Sequence, residues 1–360
     1  MNSRDLSAVL AEQVQAAAAS GSRLSLQGGN SKSFMRTNAA ADTLLSLQEH
    51  RGVVRYQPVE LVITARAGTP LTELNEVLAS RGQMLPFEPP HFGPTATLGG
   101  TVATAQSGPG RAYYGAARDF LLGCRFINGR GETLRVGGEV MKNVAGFDLA
   151  RLMCGAYGSL GVLLELSFKV LPRPECNRTL LLEHTEADAL ALCQQLRRRA
   201  APATASFYHQ GCLYLRLSGT EAAVSAAAST LGGQMLAADG DIWRLVREQQ
   251  LACFNAAQSL WRLSLPVTCA PYPEPTLWEW NGSQRWLFAP SDSSGPERWA
   301  REHGGSATLF RNRSERDLPR FPALEPKLAD LHQRIKRALD PFGVLPPCPY
   351  LPAEPVVHAD

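Results

Sequence analysis

Metal-ligand spacing is the first feature that this sequence lacks. Its eight cysteines are scattered without a C-x-x-C pair, and its seven histidines show no spacing typical of metal ligands. We therefore expect neither a zinc site nor an iron–sulfur cluster held by this chain, and no other metal. Without a secretory context a disulfide framework is not expected either, so the cysteines are predicted to be reduced cytosolic thiols.

The sequence also lacks long apolar runs and an excess of charge of one sign. No stretch reaches the length needed to cross a bilayer. Near the N-terminus Glu12 interrupts the apolar residues, whose helical spacing differs from a signal peptide. The formal net charge of +3 provides no electrostatic footprint for nucleic acid. We expect a cytoplasmic protein, with a peripheral position on the inner face of the plasma membrane, reached through partners, as the alternative.

What the chain has instead are glycine-rich stretches of small residues. At 360 residues it is long enough for about two domains and a buried cofactor. Residues 95–108 read T-A-T-L-G-G-T-V-A-T-A-Q-S-G and contain no acid or base. Gly99 and Gly100 permit a close approach of backbone, because no Cβ intervenes. A surface turn and the floor of a cofactor site are both consistent with this stretch.

A second glycine-rich segment follows a predicted strand at residues 24–27. It reads Gly28-Gly29-Asn30-Ser31-Lys32-Ser33. Successive backbone N–H groups in such a turn can form an anion-binding nest, for which pyrophosphate is a suitable ligand. Ser31 rather than glycine precedes Lys32, which disfavours a P-loop, and the G-x-G-x-x-G fingerprint is absent. A simple hairpin turn is the alternative.

The apolar periodicity predicts secondary structure along the whole chain. Helices are predicted at 5–20, 70–80, 148–153, 186–199, 221–231, 241–254, 296–303 and 325–339. Strands are predicted at 24–27, 44–47, 53–56, 60–65, 119–128, 133–136, 163–171, 178–184, 204–208, 212–217, 260–265, 277–280, 284–288 and 308–311. Pro172–Pro174 mark a boundary, after which the pattern indicates an antiparallel sheet covered by helices, an α+β arrangement.

Several of these motifs occur in an order that resembles the FAD-binding domain of the vanillyl-alcohol oxidase superfamily, the p-cresol methylhydroxylase type. The motifs are G-G-N-S-K, P-F-E-P-P, T-L-G-G-T-V-A-T-A-Q-S-G, Y-Y-G, N-G-R-G-E, K-N-V-A-G-F-D-L and G-S-L-G-V. The resemblance covers residues 1–173. It implies a two-part FAD-binding domain at 1–173, an α+β cap at 174–345 and a Pro-rich tail at 346–360, either a docking segment or a disordered terminus.

The resemblance also implies which residues bind FAD. The first loop would hold the pyrophosphate through backbone amides, the small-residue stretch would pass beside the flavin, and a late turn would contact its ring or ribityl edge. These residues are Gly28, Gly29, Asn30, Ser31, Lys32, Thr97, Leu98, Gly99, Gly100, Thr101, Ala103, Ser107, Gly108, Lys142, Gly161 and Val162. Lys142 could equally be a solvated loop residue. Because residues 27–38 hold no His or Cys, we expect FAD to be non-covalent.

Catalytic residues are harder to assign, and none is identified. Arg262 and Arg285 could anchor a substrate carboxylate by bidentate hydrogen bonds, although either could instead point outward or stack on tryptophan. Lactate and glycolate dehydrogenases of the superfamily carry an H-P-x-x-D-G-N-L-H-like run in the cap, and nothing here resembles it. The usual ending D-P-x-G-x-x-N-P-G-R is matched only at Asp340-Pro341-Phe342-Gly343.

Within the superfamily the chain resembles the E-subunit family of bacterial glycolate oxidases. The resemblance implies a FAD-dependent 2-hydroxy acid oxidoreductase that is active as part of a complex. A larger catalytic flavoprotein, the D-subunit of such an oxidase, would take the hydride from glycolate, forming glyoxylate. Electrons would then pass through or near this chain's flavin to an iron–sulfur subunit. A stand-alone 2-hydroxy acid dehydrogenase and a structural assembly subunit with a vestigial flavin site are the alternatives.

Overall fold

The computed structural model describes residues 3–36, 41–138, 148–236, 239–256, 258–316 and 318–351. Lys142 lies outside the described residues. The helices are α1 (Ser7–Ser20), α2 (Leu71–Ala79), α3 (Leu98–Thr104), α4 (Arg111–Tyr114), α5 (Ala117–Phe120), α6 (Leu149–Met153), α7 (Glu186–Arg198), α8 (Glu221–Leu231), α9 (Asp239–Arg247), α10 (Gly295–Glu302) and α11 (Pro326–Leu339).

The strands begin and end close to the predicted positions. They are β1 (Leu24–Gln27), β2 (Thr43–Ser46), β3 (Val53–Gln57), β4 (Val62–Arg66), β5 (Gln83–Met84), β6 (Leu121–Ile127), β7 (Thr133–Gly137), β8 (Val162–Lys169), β9 (Leu171–Pro172), β10 (Cys176–Glu183), β11 (Ala203–His209), β12 (Cys212–Gly219), β13 (Gln234–Met235), β14 (Ser259–Ser264), β15 (Leu277–Glu279), β16 (Gln284–Ala289) and β17 (Ser306–Arg311). Short 3-10 turns lie at Ser33–Met35, Ala252–Asn255 and Trp280–Gly282.

In the described part of the first half there are three sheets, the smallest being the antiparallel pair β5 and β9. β1 and β2 pair in parallel, and a five-stranded antiparallel sheet has the order β3-β4-β8-β6-β7. β8 is almost continuously apolar, and its Leu164, Leu166 and Phe168 are fully buried at the centre of that sheet. Helix α1 places Leu10 and Val14 on the same core, and its helical spacing matches the prediction.

The second half is built on one eight-stranded sheet. Its order is β13-β10-β12-β11-β15-β16-β14-β17, with antiparallel pairing throughout. Leu190 of α7 and Val224 of α8 pack on one face around Trp278. On the opposite face, the inner face, Trp286 and Phe310 meet Met35 of the first half. The predicted α+β architecture with an antiparallel, helix-covered cap is confirmed.

The C-terminal part of the chain returns to the first half. Ile335 and Leu339 of α11, together with buried Val344 and Leu345, pack on the first-half core. The amide of Leu24 in β1 donates to the carbonyl of Val344 at 2.8 Å. Residues 326–345, predicted as part of the cap, therefore contribute to the core of the first half.

One buried carboxylate, that of Asp340, stabilises the turn after α11. Asp340 accepts hydrogen bonds from the backbone amides of Val344 and Leu345, each at 3.0 Å, and from the ammonium of Lys336. Lys336 also donates to the carbonyl of Ser159 at 2.9 Å, so the turn after α11 is tied to the loop before β8. Asp340 of the Asp-Pro-x-Gly motif thus stabilises the turn after α11 without the Asn-Pro-Gly that usually follows this motif in the superfamily.

Several elements differ from the prediction, which did not include the short helices α4 and α5 or the short strands β5, β9 and β13. Residues 98–104 form helix α3. The sequence had indicated a turn or the floor of a cofactor site there, because two adjacent glycines disfavour a helix. The predicted helix at 241–254 is divided into α9 and a separate 3-10 turn. In the part of the chain that the structure describes, no helix combines the length and apolarity that a bilayer crossing requires.

Candidate cofactor site

A cavity of about 810 Å³ lies between the first glycine-rich loop, helix α3, the loop before β8 and the C-terminal segment. Ten of the predicted cofactor residues line it. They are Gly28, Gly29, Asn30, Ser31, Lys32, Thr97, Gly99, Gly100, Ala103 and Gly161. The fold therefore brings the early loop, the small-residue stretch and the late turn together around one space.

The first loop offers unused backbone donors to this cavity. Among the described residues, the amides of Gly28, Gly29, Asn30, Ser31 and Lys32 have no hydrogen-bond acceptor. Asn30 has a φ of 62°, a left-handed conformation that helps successive amides converge. Buried or half-buried N–H groups are nearly always paired, so this run indicates a site for an anionic group.

Close backbone approaches explain the glycines of the wall. A Cβ on residue 29 would lie 1.4 Å from the carbonyl oxygen of Thr95, and one on residue 99 would lie 2.7 Å from the Cβ of Ala67. Gly29 therefore lets the first loop lie directly on the small-residue stretch. Gly99 lets α3 pack on the end of β4, which explains why this segment is helical in spite of its glycines.

Helix α3 supplies a surface rather than free amides. Its first amides donate to protein acceptors, Leu98 to the carbonyl of Thr69 at 3.0 Å and Gly99 to the carbonyl of Ala67 at 2.7 Å. The amide of Gly100 donates to the hydroxyl of Thr97 at 3.2 Å, which caps the helix. The small residues thus bring the helix close to a ligand without offering it these hydrogen bonds.

Five predicted residues lie behind the cavity wall instead of on it. Leu98 and Val162 are buried in the first-half core, and the buried hydroxyl of Thr101 has no hydrogen-bond partner in the described part of the chain. Ser107 accepts a hydrogen bond from the amide of Ala117 at 3.1 Å. The remaining residue, Gly108, contacts the cap through its carbonyl.

Lys32 is the buried charge of the first loop. Its side chain is 9% exposed, and its Nζ donates at 3.4 Å to the carbonyl of His91. Burial lowers the pKa of Lys32 to about 8, an effect that the charge of Glu248 partly opposes. An anion in the cavity would raise the pKa of Lys32 again, because an adjacent opposite charge favours the ionised form.

The sequence analysis missed the C-terminal wall. The cavity is also lined by Lys336, Asp340, Pro346, Pro347 and Cys348. The partial Asp-Pro-x-Gly match was the available signal, but it gave no position for the residues after it. Tyr157, also missed, lines the cavity and has a φ of 54°.

Arg262 lies on the inner face of the cap sheet. It is next to the ring of Phe310, with 5.5 Å between the guanidinium carbon and the ring centroid. Burial lowers its pKa, and the only opposing effects come from Tyr157 and Tyr350. Its Nε is buried without a partner in the described residues. Arg262 therefore remains a candidate anchor for an anion.

Arg285 has a different environment, which argues against the predicted anchoring role. Its guanidinium donates to the carbonyls of Ala270 at 2.6 Å, Cys269 at 2.8 Å and Gly282 at 3.2 Å. The side chain is fully buried on the outer side of the cap hairpin, 5.7 Å from the ring centroid of Trp299. Its donors are thus used to hold loop carbonyls in place.

Groups for acid–base chemistry are sparse near the inner face of the cap. No three His, Cys, Asp or Glu side chains of the described residues lie close enough to share a metal ion. Glu279 is a buried carboxyl there, and burial raises its pKa to about 7, although hydrogen bonds from Trp286 and Gln284 oppose the shift. Both bonds reach the same oxygen, Oε1, at 2.7 and 3.0 Å.

Comparisons with known proteins identify the family of this chain. Residues 7–137 match the family model described as FAD binding domain. The glycolate oxidase subunit GlcE of Escherichia coli (strain K12) is 46% identical over 345 residues, covering 95% of this chain and 97% of that protein. The chain belongs to the glycolate oxidase subunit GlcE family.

One further relative and one solved structure show which other proteins resemble this GlcE family member. The glycolate oxidase subunit GlcD of Bacillus subtilis (strain 168) is 30% identical over 163 residues, which are 45% of this chain and 34% of that protein. A crystal structure of p-cresol methylhydroxylase with substrate bound shares the fold, with a TM-score of 0.68, 15% identity and coverage of 95% and 87% of the two chains. The predicted fold family is thereby confirmed.

FAD is the cofactor of this GlcE family member, and the chain is an oxidoreductase. The residues present fit that cofactor. The run of unpaired amides in the first loop and the buried Lys32 are suited to a pyrophosphate, and the cavity continues along α3 towards Tyr157.

Proposed function

We propose that this chain is the FAD-binding subunit of a multi-subunit glycolate oxidase. It supports the oxidation of glycolate to glyoxylate and passes electrons towards an iron–sulfur subunit. The observation that carries this proposal is the cofactor cavity lined by the glycine-rich first loop and helix α3. Near-full-length similarity to a glycolate oxidase subunit supports the choice of complex.

In this proposal each wall of the cavity has its own task. The amides of the first loop and the ammonium of Lys32 hold the pyrophosphate. Helix α3 and Gly161 form a close surface beside the flavin, and the C-terminal segment also lines the cavity. Bound FAD supplies the capacity to accept and release electrons. The protein binds, orients and shields it from water.

The attachment of FAD is proposed to be non-covalent, because residues 27–38 contain no His or Cys. Acid precipitation of the purified protein tests this point. Flavin should remain in the supernatant, and yellow colour in the washed pellet would contradict non-covalent binding.

The division of the chain is proposed to follow its cores. The FAD-binding domain comprises residues 1–173, and the cap begins at residue 174. Since α11 and the turn after it pack on the first-half core, the C-terminal segment completes the FAD-binding domain from the far end of the chain. The cap is then an insertion between β9 and α11, and the Pro-rich tail from 346 starts within the cavity wall.

The test of function compares the chain alone with the assembled complex. The chain is purified from its host alone and together with two partners, the larger catalytic flavoprotein (the D-subunit) and the iron–sulfur protein. Glycolate-dependent dye reduction is then measured. Activity is expected only with the partners present. In the cell, we propose that the complex lies in the cytoplasm or at the inner face of the plasma membrane. Full activity from the isolated chain would contradict the proposal.

A second function is favoured by Arg262. Its Nε has no partner in the described residues, and its guanidinium lies over Phe310, in the cluster against which the cavity-lining Tyr157 packs, which suits a stand-alone oxidation of a 2-hydroxy acid. Anaerobic glycolate or D-lactate would then bleach the flavin spectrum of the isolated chain. A colourless protein that binds no FAD would instead indicate a structural assembly subunit, which the intact first loop disfavours.

A further inference from the structure

A strained loop lies between the cap and the first glycine-rich loop. It spans residues 88–93, reads E-P-P-H-F-G, and overlaps the P-F-E-P-P motif of the sequence. Glu88 and Phe92 hold left-handed φ angles of 46° and 53°, which cost energy for residues other than glycine. Such a loop keeps its conformation only when its surroundings hold it, so its contacts indicate what fixes its position.

The cap provides a carboxylate that holds one end of this loop. Glu248 directly follows α9, and its Oε2 accepts hydrogen bonds from the amides of Phe92 at 2.7 Å and His91 at 3.1 Å. Its Oε1 lies 3.2 Å from the same nitrogen of His91. The side chain of Glu248 is only 10% exposed. Two successive amides thus converge on one nearly buried anion, as they do in an anion-binding nest.

The other end of the loop is also tied to the cap. Glu88 forms an ion pair with Arg216 of β12 at 2.7 Å, and it accepts a hydrogen bond from the amide of Gly110 at 2.8 Å. Both side chains of this ion pair are mostly buried. The cap therefore holds the loop at each end, and the position of the loop follows that of the cap.

The same loop contacts the first glycine-rich loop. The ammonium of Lys32 donates to the carbonyl of His91 at 3.4 Å and lies 6.0 Å from the ring centroid of Phe92. A Cβ on Gly93 would be at van der Waals distance, 3.5 Å, from the Cβ of Ser31. Lys32 and Ser31 both line the cavity. His91 therefore connects the two halves, because Glu248 holds its amide and its carbonyl accepts from Lys32.

The charge of Glu248 also acts on Lys32. Among the described residues, the other charged or titratable groups of this cluster are His91 and Arg247, whose Nε donates to Oε1 of Glu248 at 2.8 Å. Burial, followed by the charge of Arg247, lowers the pKa of His91, so its imidazole is neutral above pH 7. Burial lowers the pKa of Lys32 to about 8, and the charge of Glu248 opposes this shift. Glu248 therefore favours the charged form of Lys32.

We propose that Glu248 is a positioning residue for FAD binding: it fixes the amides of His91 and Phe92, and the carbonyl of His91 then keeps the ammonium of Lys32 directed towards the pyrophosphate. This inference rests on the proposed role of Lys32 as a pyrophosphate-binding residue. Glu248 itself lies outside the cavity lining, so it acts through the loop and not by contact with the cofactor. Because Glu248 belongs to the cap, FAD affinity depends on the seating of the cap on the first half.

The first test is a double-mutant cycle, measured by fluorescence titration of the full-length apoprotein with FAD at pH 7. E248A should weaken FAD binding at least about threefold, and K32M about tenfold, since hydrogen bonds to charged groups contribute that much. In the K32M background, E248A should change FAD affinity less than about twofold, because the residue through which Glu248 acts is absent.

E165A is the matched control. Glu165 is another partly buried glutamate that pairs with an arginine, Arg125, at 3.1 Å, but it lies in the five-stranded sheet. Because Glu165 does not contact the loop at 88–93, its removal should leave FAD affinity within about twofold of wild type.

Two further measurements separate positioning of the loop from a general loss of stability. In hydrogen exchange of the apoprotein, residues 88–93 should exchange faster in E248A than in wild type or E165A, because the amides of His91 and Phe92 lose their acceptor. E248Q keeps one oxygen for these amides but loses the charge. Its FAD affinity should fall at a lower pH than that of wild type, since the pKa of Lys32 is lower without the carboxylate charge.

Any of three results overturns the proposal. They are wild-type FAD affinity in E248A, an effect of E248A in the K32M background as large as in wild type, and unchanged exchange of residues 88–93. If E248A does not fold, E248Q decides, and a pH profile identical to that of wild type overturns the proposal. Failure of the proposed role of Lys32 shows separately, as wild-type FAD affinity in K32M itself, and it overturns this inference as well.

Discussion

The indole nitrogen of Trp280 donates a hydrogen bond to the carbonyl oxygen of Gly108, 2.9 Å away. This bond joins the turn of the cap hairpin to the last residue of the small-residue stretch. Beside it, the hydroxyl of Tyr113 donates to the side chain of Asn281 at 2.6 Å. Trp280 holds a left-handed φ of 56°, a conformation that a bulky side chain rarely adopts. The cap therefore meets the cofactor wall through a strained turn.

W280F should weaken this junction. It removes one of two hydrogen bonds to the carbonyl of Gly108, which still accepts from the amide of Arg111 at 3.1 Å, so the free energy of unfolding should fall by about 0.5–1.5 kcal/mol. FAD affinity should fall as well, because Gly108 follows the helix that lines the cavity. W243F is the control, since it loses a similar indole bond, to Thr179 at 2.8 Å, within the cap alone. Urea unfolding and FAD titration check both. Equal FAD affinities in the two variants would argue against the coupling.

K32M should reduce FAD affinity in a pH-dependent way. At pH 7 the ammonium is charged, and losing its interaction with the pyrophosphate should weaken FAD binding about tenfold. Because the pKa of Lys32 is about 8 before FAD binds, the wild-type advantage should shrink at about pH 9.5. Fluorescence titration of the apoprotein at both pH values measures this. K327M, which changes an exposed helix residue, should match wild type.

The same lysine should affect the stability of the FAD-free protein. Its folded pKa is depressed, so the unfolded chain holds the proton to higher pH than the folded chain does. The stability of apo wild type should therefore rise between about pH 8 and pH 10.5, relative to K32M. A constant difference over that range would show that Lys32 is not the buried titrating group.

G29A should prevent the first loop from lying on the small-residue stretch. The added Cβ would overlap the carbonyl of Thr95, so the loop must move and its amides lose their arrangement. We expect a protein that purifies without yellow colour. G295A is the control, because the nearest atom to its Cβ would be at an ordinary 3.4 Å. Normal flavin content in G29A would contradict the role of this loop.

E279Q should remove a pH dependence of stability. The pKa of Glu279 is raised from 4.5 to about 7, so the folded protein retains a proton that the unfolded chain releases. Wild-type stability should therefore fall as pH rises from about 5 to 8, by up to about 3 kcal/mol relative to E279Q. Glutamine keeps an oxygen for Trp286 and Gln284. Chemical unfolding at about pH 5 and pH 8 tests this. An equal fall in the free energy of unfolding of wild type and E279Q would show that Glu279 is not the titrating group.

Local sequence signals predicted most of the elements that carry the site. The loop at Gly28 follows a short strand as expected, and α7 and α8 occupy the predicted positions because their apolar residues recur at helical spacing. Helix α3 escaped prediction because its stability comes from packing of Gly99 against Ala67, a contact between distant segments. Propensity alone cannot express such a contact.

The arginines show the same limit more sharply. On the sequence, Arg262 and Arg285 were equivalent, since each lies among tryptophans on a predicted strand. The structure separates them by hydrogen bonding, because backbone carbonyls surround Arg285 and none accepts from Arg262 in the described chain.

The return of the C-terminal segment has a consequence for biosynthesis. The first loop leaves the ribosome before the cap, whereas Lys336, Asp340 and the residues after them, which also line the cavity, are synthesised after the cap. N-terminal segments of a nascent chain fold first. Here the cavity gains its C-terminal wall only after the cap has been synthesised, so a chain terminated before α11 is expected to accumulate as apoprotein.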